Sequence, residues 1–108
     1  MFAEARQREA EEYFRCEQWT AAACAFGEAS LAAKENPELL LALSKRCASA
    51  ALRAGDAKRA EAALTAVLDM RPDVKSRYRR GIARIDLRDW DGARQELGEA
   101  LKSNEVRV

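Results

Sequence analysis

Residues 87–101 read LRDWDGARQELGEAL, and this stretch decides the fold because it matches residues 54–68, AGDAKRAEAALTAVL. The agreeing positions are Asp56 and Asp89, Ala60 and Ala93, Leu64 and Leu97, and Leu68 and Leu101. A third copy lies upstream, where Trp19, Ala22, Phe26 and Ala29 align with Trp90, Ala93, Leu97 and Ala100. The copies are 38 and 33 residues apart. A period of this length is typical of solenoids built from helical hairpins.

Each copy divides into two apolar stretches of helical period with a short polar turn between them. Gly55-Asp56 and Asp89 form such turns, because glycine tolerates a left-handed backbone and aspartate accepts hydrogen bonds from free helix amides. Pro37 begins a helix and Pro72 closes the second copy. The pattern predicts six helices, near 2–16, 18–34, 38–54, 57–70, 73–88 and 90–103.

Composition excludes several classes of function. The 108 residues suit one domain, and with only five glycines and two prolines they favour an all-α structure. With a net charge of +1, the protein as a whole does not attract nucleic acid or an anionic membrane electrostatically. No apolar run approaches the roughly 20 residues of a membrane span. The three cysteines, Cys16, Cys24 and Cys47, have no histidine or CxxC partners. We expect buried thiols, no metal or other cofactor, and a cytoplasmic protein.

The repeated positions resemble the tetratricopeptide repeat (TPR) family over roughly residues 3–104. The family pattern asks for a small residue where two helices cross, an alanine early in the second helix, and a bulky residue one turn later. The matching residues are Ala10, Ala22 and Phe26 in repeat one, Ala48, Ala60 and Leu64 in repeat two, and Gly81, Ala93 and Leu97 in repeat three. The alternative is an unrelated helical bundle with accidental alanine spacing.

The resemblance implies a right-handed α-solenoid of three hairpins, with six antiparallel helices. It implies a single TPR domain over 1–108, with repeats at about 3–36, 38–72 and 73–106. It also implies that Trp19 and Trp90 lie in the core and that the first helix of each hairpin lines a concave groove. We expect Tyr78 to pack in the interior as well, and the alternative is that it is an aromatic side chain of the groove.

In the family this groove binds an extended peptide. The predicted peptide-binding residues are Gln7 and Glu11 in repeat one, Lys45, Arg46, Ser49 and Arg53 in repeat two, and Lys75 and Arg79 in repeat three. Further groove-facing candidates are Glu4, Arg15, Ala42, Tyr78, Ile82 and Asp86.

Residues 75–81, KSRYRRG, resemble the third repeat of chaperone-binding TPR domains. There a lysine and an arginine one helical turn apart help to hold the C-terminal carboxylate of a heat-shock chaperone tail, and Lys75 and Arg79 match them. The rest of that carboxylate clamp is poorly matched, and Glu11 is expected to repel a carboxylate. The alternative is that Lys75 and Arg79 belong to a solvated helix face.

No histidine, glycine-rich phosphate loop or nucleophile setting is present, so we predict no enzyme. The first functional hypothesis is a co-chaperone or targeting adaptor that captures an acidic C-terminal peptide. The second is a scaffold subunit that binds its partner through the convex or end surface. RNA binding by the third-repeat arginines is a weaker third. Ile82, Ile85 or Leu101 is expected to be partly exposed at the C-terminal end, which indicates either a fragment of a longer protein or a homodimer formed through that end.

Overall fold

The computed structural model describes residues 2–102, with side chains from residue 4 onward. Within that part of the chain the structure has six α-helices and no strand. The helices are α1 (Phe2–Arg15), α2 (Trp19–Ala32), α3 (Pro37–Ala54), α4 (Ala57–Met70), α5 (Val74–Asp86) and α6 (Trp90–Leu101). The predicted all-α fold is confirmed. The predicted extension of the last repeat to residue 106 lies outside the described residues.

Each helix packs against the next one in the chain, so that consecutive antiparallel pairs form three hairpins. The hairpins stack into a right-handed solenoid with dimensions of 41 × 26 × 23 Å. Of the helices between residues 2 and 102, none combines the length and apolar character that crossing a membrane requires.

Small residues stand where the helices cross. The buried alanines include Ala10, Ala22, Ala29, Ala48, Ala60, Ala93 and Ala100. At Gly81 a Cβ atom would lie 2.8 Å from Leu97 Cδ2 and 2.9 Å from Leu97 Cγ, closer than carbon atoms pack. The lack of a side chain at Gly81 therefore lets α5 and α6 approach. The bulky residues one turn after the alanines, Phe26 and Leu64, are fully buried.

The turn inside each hairpin repeats the same backbone geometry. Glu17, Gly55 and Arg88 have φ values of 58°, 77° and 62°, in the left-handed region. Only the second repeat uses glycine there, although glycine adopts this conformation at least cost. The residue after each of the last two turns caps the next helix, because Asp56 and Asp89 accept hydrogen bonds from the amides of Arg59 and Gly92. These predicted caps are confirmed.

Several burial predictions were wrong. The Trp90 side chain is 54% exposed, because its position is covered only when another hairpin follows, and no hairpin follows in the described chain. Tyr78 is 41% exposed, so it does not fill the core. Cys16 and Cys24 are exposed, whereas Cys47 is buried as expected. Cys24 is exposed beside α3, where it lines an open cavity of about 460 Å³ together with Ser44 and Cys47.

Candidate peptide-binding groove

Arg46 of α3 is fixed by the first repeat. Its Nη2 and Nε atoms donate to the same oxygen of Glu11, at 2.9 and 3.2 Å. The guanidinium lies 4.2 Å from the ring centroid of Phe14 and 5.3 Å from that of Phe26, within cation–π range. Glu11 was expected to repel an incoming carboxylate, but Arg46 compensates its charge. Both side chains are therefore engaged with each other.

Arg53, two helical turns further along α3, also lies over aromatic rings. Its guanidinium is 4.9 Å from the ring centroid of Trp19 and 5.6 Å from that of Phe14. The two rings meet edge to face, with centroids 4.9 Å apart and planes at 79°. Trp19 was expected in the core, and its contact with an arginine of the next repeat was not predicted from the sequence.

Lys45 turns toward the third repeat. Its Nζ lies 3.5 Å from Asp73 Oδ2, and Asp73 immediately precedes α5. Burial, the largest single influence, raises the pKa of Asp73, but the hydrogen bond from the Ser76 hydroxyl and the charge of Lys45 outweigh it and lower the pKa below its usual value. Lys45 and Arg46, which are adjacent in α3, thus contact the third and the first repeat, respectively. Asp73 was not among the site residues predicted from the sequence.

Lys75 and Arg79 are exposed on α5, one helical turn apart. Within residues 2–102, neither side chain has a carboxylate oxygen within 4.0 Å, whereas Lys45 and Arg46 each have one. Four residues apart on a helix, the two cationic heads reach the same patch. The third repeat therefore presents two positive charges that no acidic side chain of the described region neutralises.

The other arginines of α5 turn inward. Arg80 Nε lies 2.7 Å from Glu96 Oε2, and Arg77 Nη1 lies 3.4 Å from the other oxygen. Arg84 Nε binds Glu61 Oε2 at 2.9 Å. The Glu96 side chain is only 4% exposed, so these arginines serve to bury a carboxylate between α5 and α6. This inward orientation weakens the hypothesis that they bind RNA.

The remaining predicted site residues, Gln7 and Ser49, are half-buried on α1 and α3. An open cavity of about 270 Å³ adjoins Lys45, lined also by Glu38, Leu41, Ala42 and Arg71. The structure thus brings Lys45 close to the start of α5, where Lys75 lies, and groups Gln7, Glu11 and Arg46 around α1. Arg71 was not identified from the sequence, because it follows α4 and reaches the cavity only in the folded chain.

No arrangement for catalysis stands out in the described chain. Cys47 donates a hydrogen bond from its Sγ to the Ala23 carbonyl at 3.3 Å, and burial raises the pKa of its thiol. A buried neutral thiol is a poor nucleophile. Between residues 2 and 102 there is also no group of three or more side chains suited to hold a metal ion.

The arrangement of helices is similar to that of a solved structure, the first TPR of Spaghetti (RPAP3) bound to the HSP90 peptide SRMEEVD. The TM-score is 0.76, the sequence identity is 21%, and the similarity covers 99% of this chain and 82% of that one. No family model and no curated protein sequence matches the chain. The similarity is therefore one of fold, and the six helices form three hairpins of the TPR type.

Proposed function

We propose that this chain is a protein-interaction module, and not an enzyme, whose concave groove binds the acidic C-terminal peptide of a partner such as a heat-shock chaperone. The observation that carries this proposal is the Lys75–Arg79 pair, which is exposed and has no carboxylate partner among the described residues. The structural neighbour is bound to a peptide, SRMEEVD, that ends in an aspartate and contains two glutamates. The negative charges of this peptide complement the positive charges of Lys75 and Arg79 in the third repeat.

Lys75 and Arg79 would bind a carboxylate in different ways. Arg79 offers a planar fork of N–H donors that fits both oxygens of a carboxylate, and Lys75 offers a mobile ammonium. Lys45 lies beside the start of α5, where Asp73, 3.5 Å from its Nζ, compensates its charge, so it assists the α5 pair only when this partly exposed ion pair opens. The ligand carboxylate would thus be held mainly by α5, with help from α3.

The first repeat contributes less. Glu11 and Arg46 are paired with each other, so Arg46 is less available to a ligand carboxylate than Arg79 is. We therefore expect binding in the micromolar range, on the order of −8 kcal/mol or weaker, rather than the tighter binding of a complete clamp. The affinity should fall as salt rises, because exposed charges are screened.

Titration of the peptide SRMEEVD by calorimetry tests the proposal. The double variant Lys75→Glu/Arg79→Glu should lose at least about 30-fold in affinity, because two attractive charges become repulsive. The matched control is Lys58→Glu/Arg94→Glu, which makes the same change of charge at exposed positions on α4 and α6. It should bind nearly as the wild type does. Equal affinity of the two double variants would refute the proposal.

The second candidate function is a scaffold that binds its partner through the convex or end surface. The exposure of Trp90 and Leu101 at the C-terminal end favours it. A partner bound there would be indifferent to reversal of the Lys75 and Arg79 charges. The three free thiols fit a reducing compartment, and we place the protein in the cytoplasm for either function.

A further inference from the structure

Cys24 and Cys47 line the same open cavity of about 460 Å³ between α2, α3 and α4, which we call the thiol cavity. At about 100° per residue, Cys47 lies on the side of α3 roughly opposite the predicted groove residues Ser49 and Arg53. None of the described residues that line the thiol cavity belongs to the predicted peptide site. The cavity is therefore separate from the proposed groove.

The Cys47 sulfur lies against the turn of α2 that carries Cys24. Its Sγ donates a hydrogen bond at 3.3 Å to the carbonyl oxygen of Ala23. In a planar trans peptide the next Cα atom, here that of Cys24, is about 2.8 Å from this oxygen, so it lies within roughly 6 Å of Cys47 Sγ. Side-chain rotation with a small shift of α3 can therefore bring the two sulfur atoms together.

The second contact between repeats shows that this reach of α3 belongs to the way the hairpins stack. A Cβ atom at Gly27 of α2 would lie 3.7 Å from Cys47 Sγ. At the equivalent positions of the next contact, Arg80 of α5 donates to Thr65 of α4 at 3.1 Å. In both contacts this position of a first helix meets the second helix of the preceding hairpin. The first contact differs because it has a thiol on each side.

The two thiols have different surroundings. Cys24 is exposed to solvent, whereas Cys47 is buried and burial raises the pKa of its thiol. Arg59 opposes that effect, because its positive charge favours the Cys47 thiolate. A Cβ atom at Gly27 would lie 3.6 Å from Arg59 Nη1, so the missing side chain leaves space between this guanidinium and the Cys47 sulfur. Cys24 thus meets solvent reagents first, and Cys47 waits behind it.

We infer that Cys24 and Cys47 form a reversible disulfide after a peroxide oxidises Cys24. The Cys24 thiolate attacks one peroxide oxygen, the O–O bond breaks, and the leaving oxygen takes up the thiol proton as water or an alcohol. Sulfur is thereby oxidised to a sulfenic acid. The Cys47 sulfur then attacks the Cys24 sulfur, the S–S bond forms, the S–O bond breaks, and hydroxide leaves with the Cys47 proton as water. A small-molecule dithiol reverses the reaction by exchange.

The disulfide would join the first hairpin to the second, because Cys24 belongs to α2 and Cys47 to α3. Cys47 would give up its hydrogen bond to Ala23. This loss leaves no carbonyl without a partner, since the Ala23 oxygen also accepts within α2 in the helical pattern.

Cys16 is a matched control within the chain. Cys16 and Cys24 are both exposed, and each Sγ lies 3.9 Å from a glutamate oxygen, of Glu12 and Glu28 respectively. Only Cys24 shares the thiol cavity with Cys47. With hydrogen peroxide and dimedone, which traps sulfenic acids, we expect Cys24 to be labelled at least about tenfold less than Cys16. In Cys47→Ala the two should be labelled about equally, because the second thiol is gone.

Peptide mapping of Cys16→Ser tests the bond with both thiols of the pair in place. After oxidation with equimolar hydrogen peroxide and blocking of free thiols, trypsin should release peptide 16–34 joined to peptide 47–53, and a dithiol should separate them. Recovery of the two peptides unjoined would overturn the inference. Equal dimedone labelling of Cys24 in the wild type and in Cys47→Ala would overturn it as well.

Discussion

Arg46 and Arg79 occupy the same position in the second and third repeats, 33 residues apart, but only one of them is engaged. Arg46 binds Glu11 at 2.9 Å and lies over the Phe14 ring. Arg79 is exposed, and within residues 2–102 no carboxylate oxygen lies within 4.0 Å of its guanidinium. The difference therefore comes from the surroundings and not from the arginine.

The preceding repeat supplies those surroundings. The second-repeat equivalents of Glu11 and Phe14, 38 positions later, are Ser49 and Leu52. Serine offers no negative charge and leucine no ring, so the second repeat cannot engage Arg79 as the first engages Arg46. The lesson is that the repeat before a groove cation decides whether that cation is free for a ligand.

The contact between repeats one and two also differs from the contact between repeats two and three in the side chains that make it. Cys47 of α3 donates a hydrogen bond to a backbone carbonyl of α2, whereas Arg80, at the equivalent position of α5, binds Glu96 and Thr65. The first contact combines apolar burial with an exposed ion pair. In the second, Arg80 and Arg84 of α5 bind Thr65 and Glu61 of α4, and Arg80 is held in place by the buried Glu96 of its own hairpin. Three sets of substitutions test whether the two contacts differ in this way.

The largest effect is expected at Glu96. Glu96→Leu should lower the free energy of unfolding by about 3 kcal/mol, because it leaves Arg80 without its buried partner. Glu11→Leu removes an ion pair whose side chains are 41% and 49% exposed, and should cost less than about 1 kcal/mol. Urea denaturation followed by circular dichroism measures both. Equal losses would show that burial does not distinguish the two contacts.

A smaller effect is expected from exchanging the partners of the two arginines. Ser49 is the second-repeat equivalent of Glu11, which binds Arg46. Ser49→Glu therefore gives Arg79 a carboxylate in the equivalent place. It should weaken binding of SRMEEVD about tenfold, or about 1.4 kcal/mol, because the new carboxylate competes with that of the peptide. Calorimetry measures the change, and Ser49→Ala is the control that should leave affinity unaltered. Tighter binding by Ser49→Glu would show that Arg79 does not hold the peptide.

The smallest effects concern glycines of the third hairpin. Gly81→Ala should lower the free energy of unfolding by about 1 kcal/mol, since the added Cβ meets Leu97 at 2.8 Å. At Gly98 an added Cβ atom has no other atom within 4 Å, so Gly98→Ala should raise the free energy of unfolding by about 0.5–1 kcal/mol through helix propensity. Thermal unfolding of the two variants should therefore shift in opposite directions. Stabilisation by both would mean that the α5–α6 crossing tolerates a side chain.

The fold could be predicted from the sequence because its determinants are local and repeated. Alanine spacing, the caps at Asp56 and Asp89 and the glycine at Gly81 each act within one hairpin or between adjacent helices. The same positions recur at a fixed period, so one recognised copy locates the others.

The site was harder to predict because its partners are distant in the chain. The contrast between Lys45, which turns to Asp73, and Arg46, which turns to Glu11, depends on how three hairpins stack. The helical period of the sequence alone does not predict that these two adjacent residues contact different repeats. The exposure of Trp90 likewise depends on whether another helix follows, which its own repeat does not encode.

Titration of the wild-type chain with SRMEEVD as the free acid and as the C-terminal amide tests whether Lys75 and Arg79 hold a terminal carboxylate. The amide lacks the terminal negative charge that the third-repeat cations would hold. We expect the amide to bind at least about fivefold more weakly, on the order of 1 kcal/mol, with a smaller dependence on salt. Equal affinities for the two peptides, at low and at high salt, would contradict it.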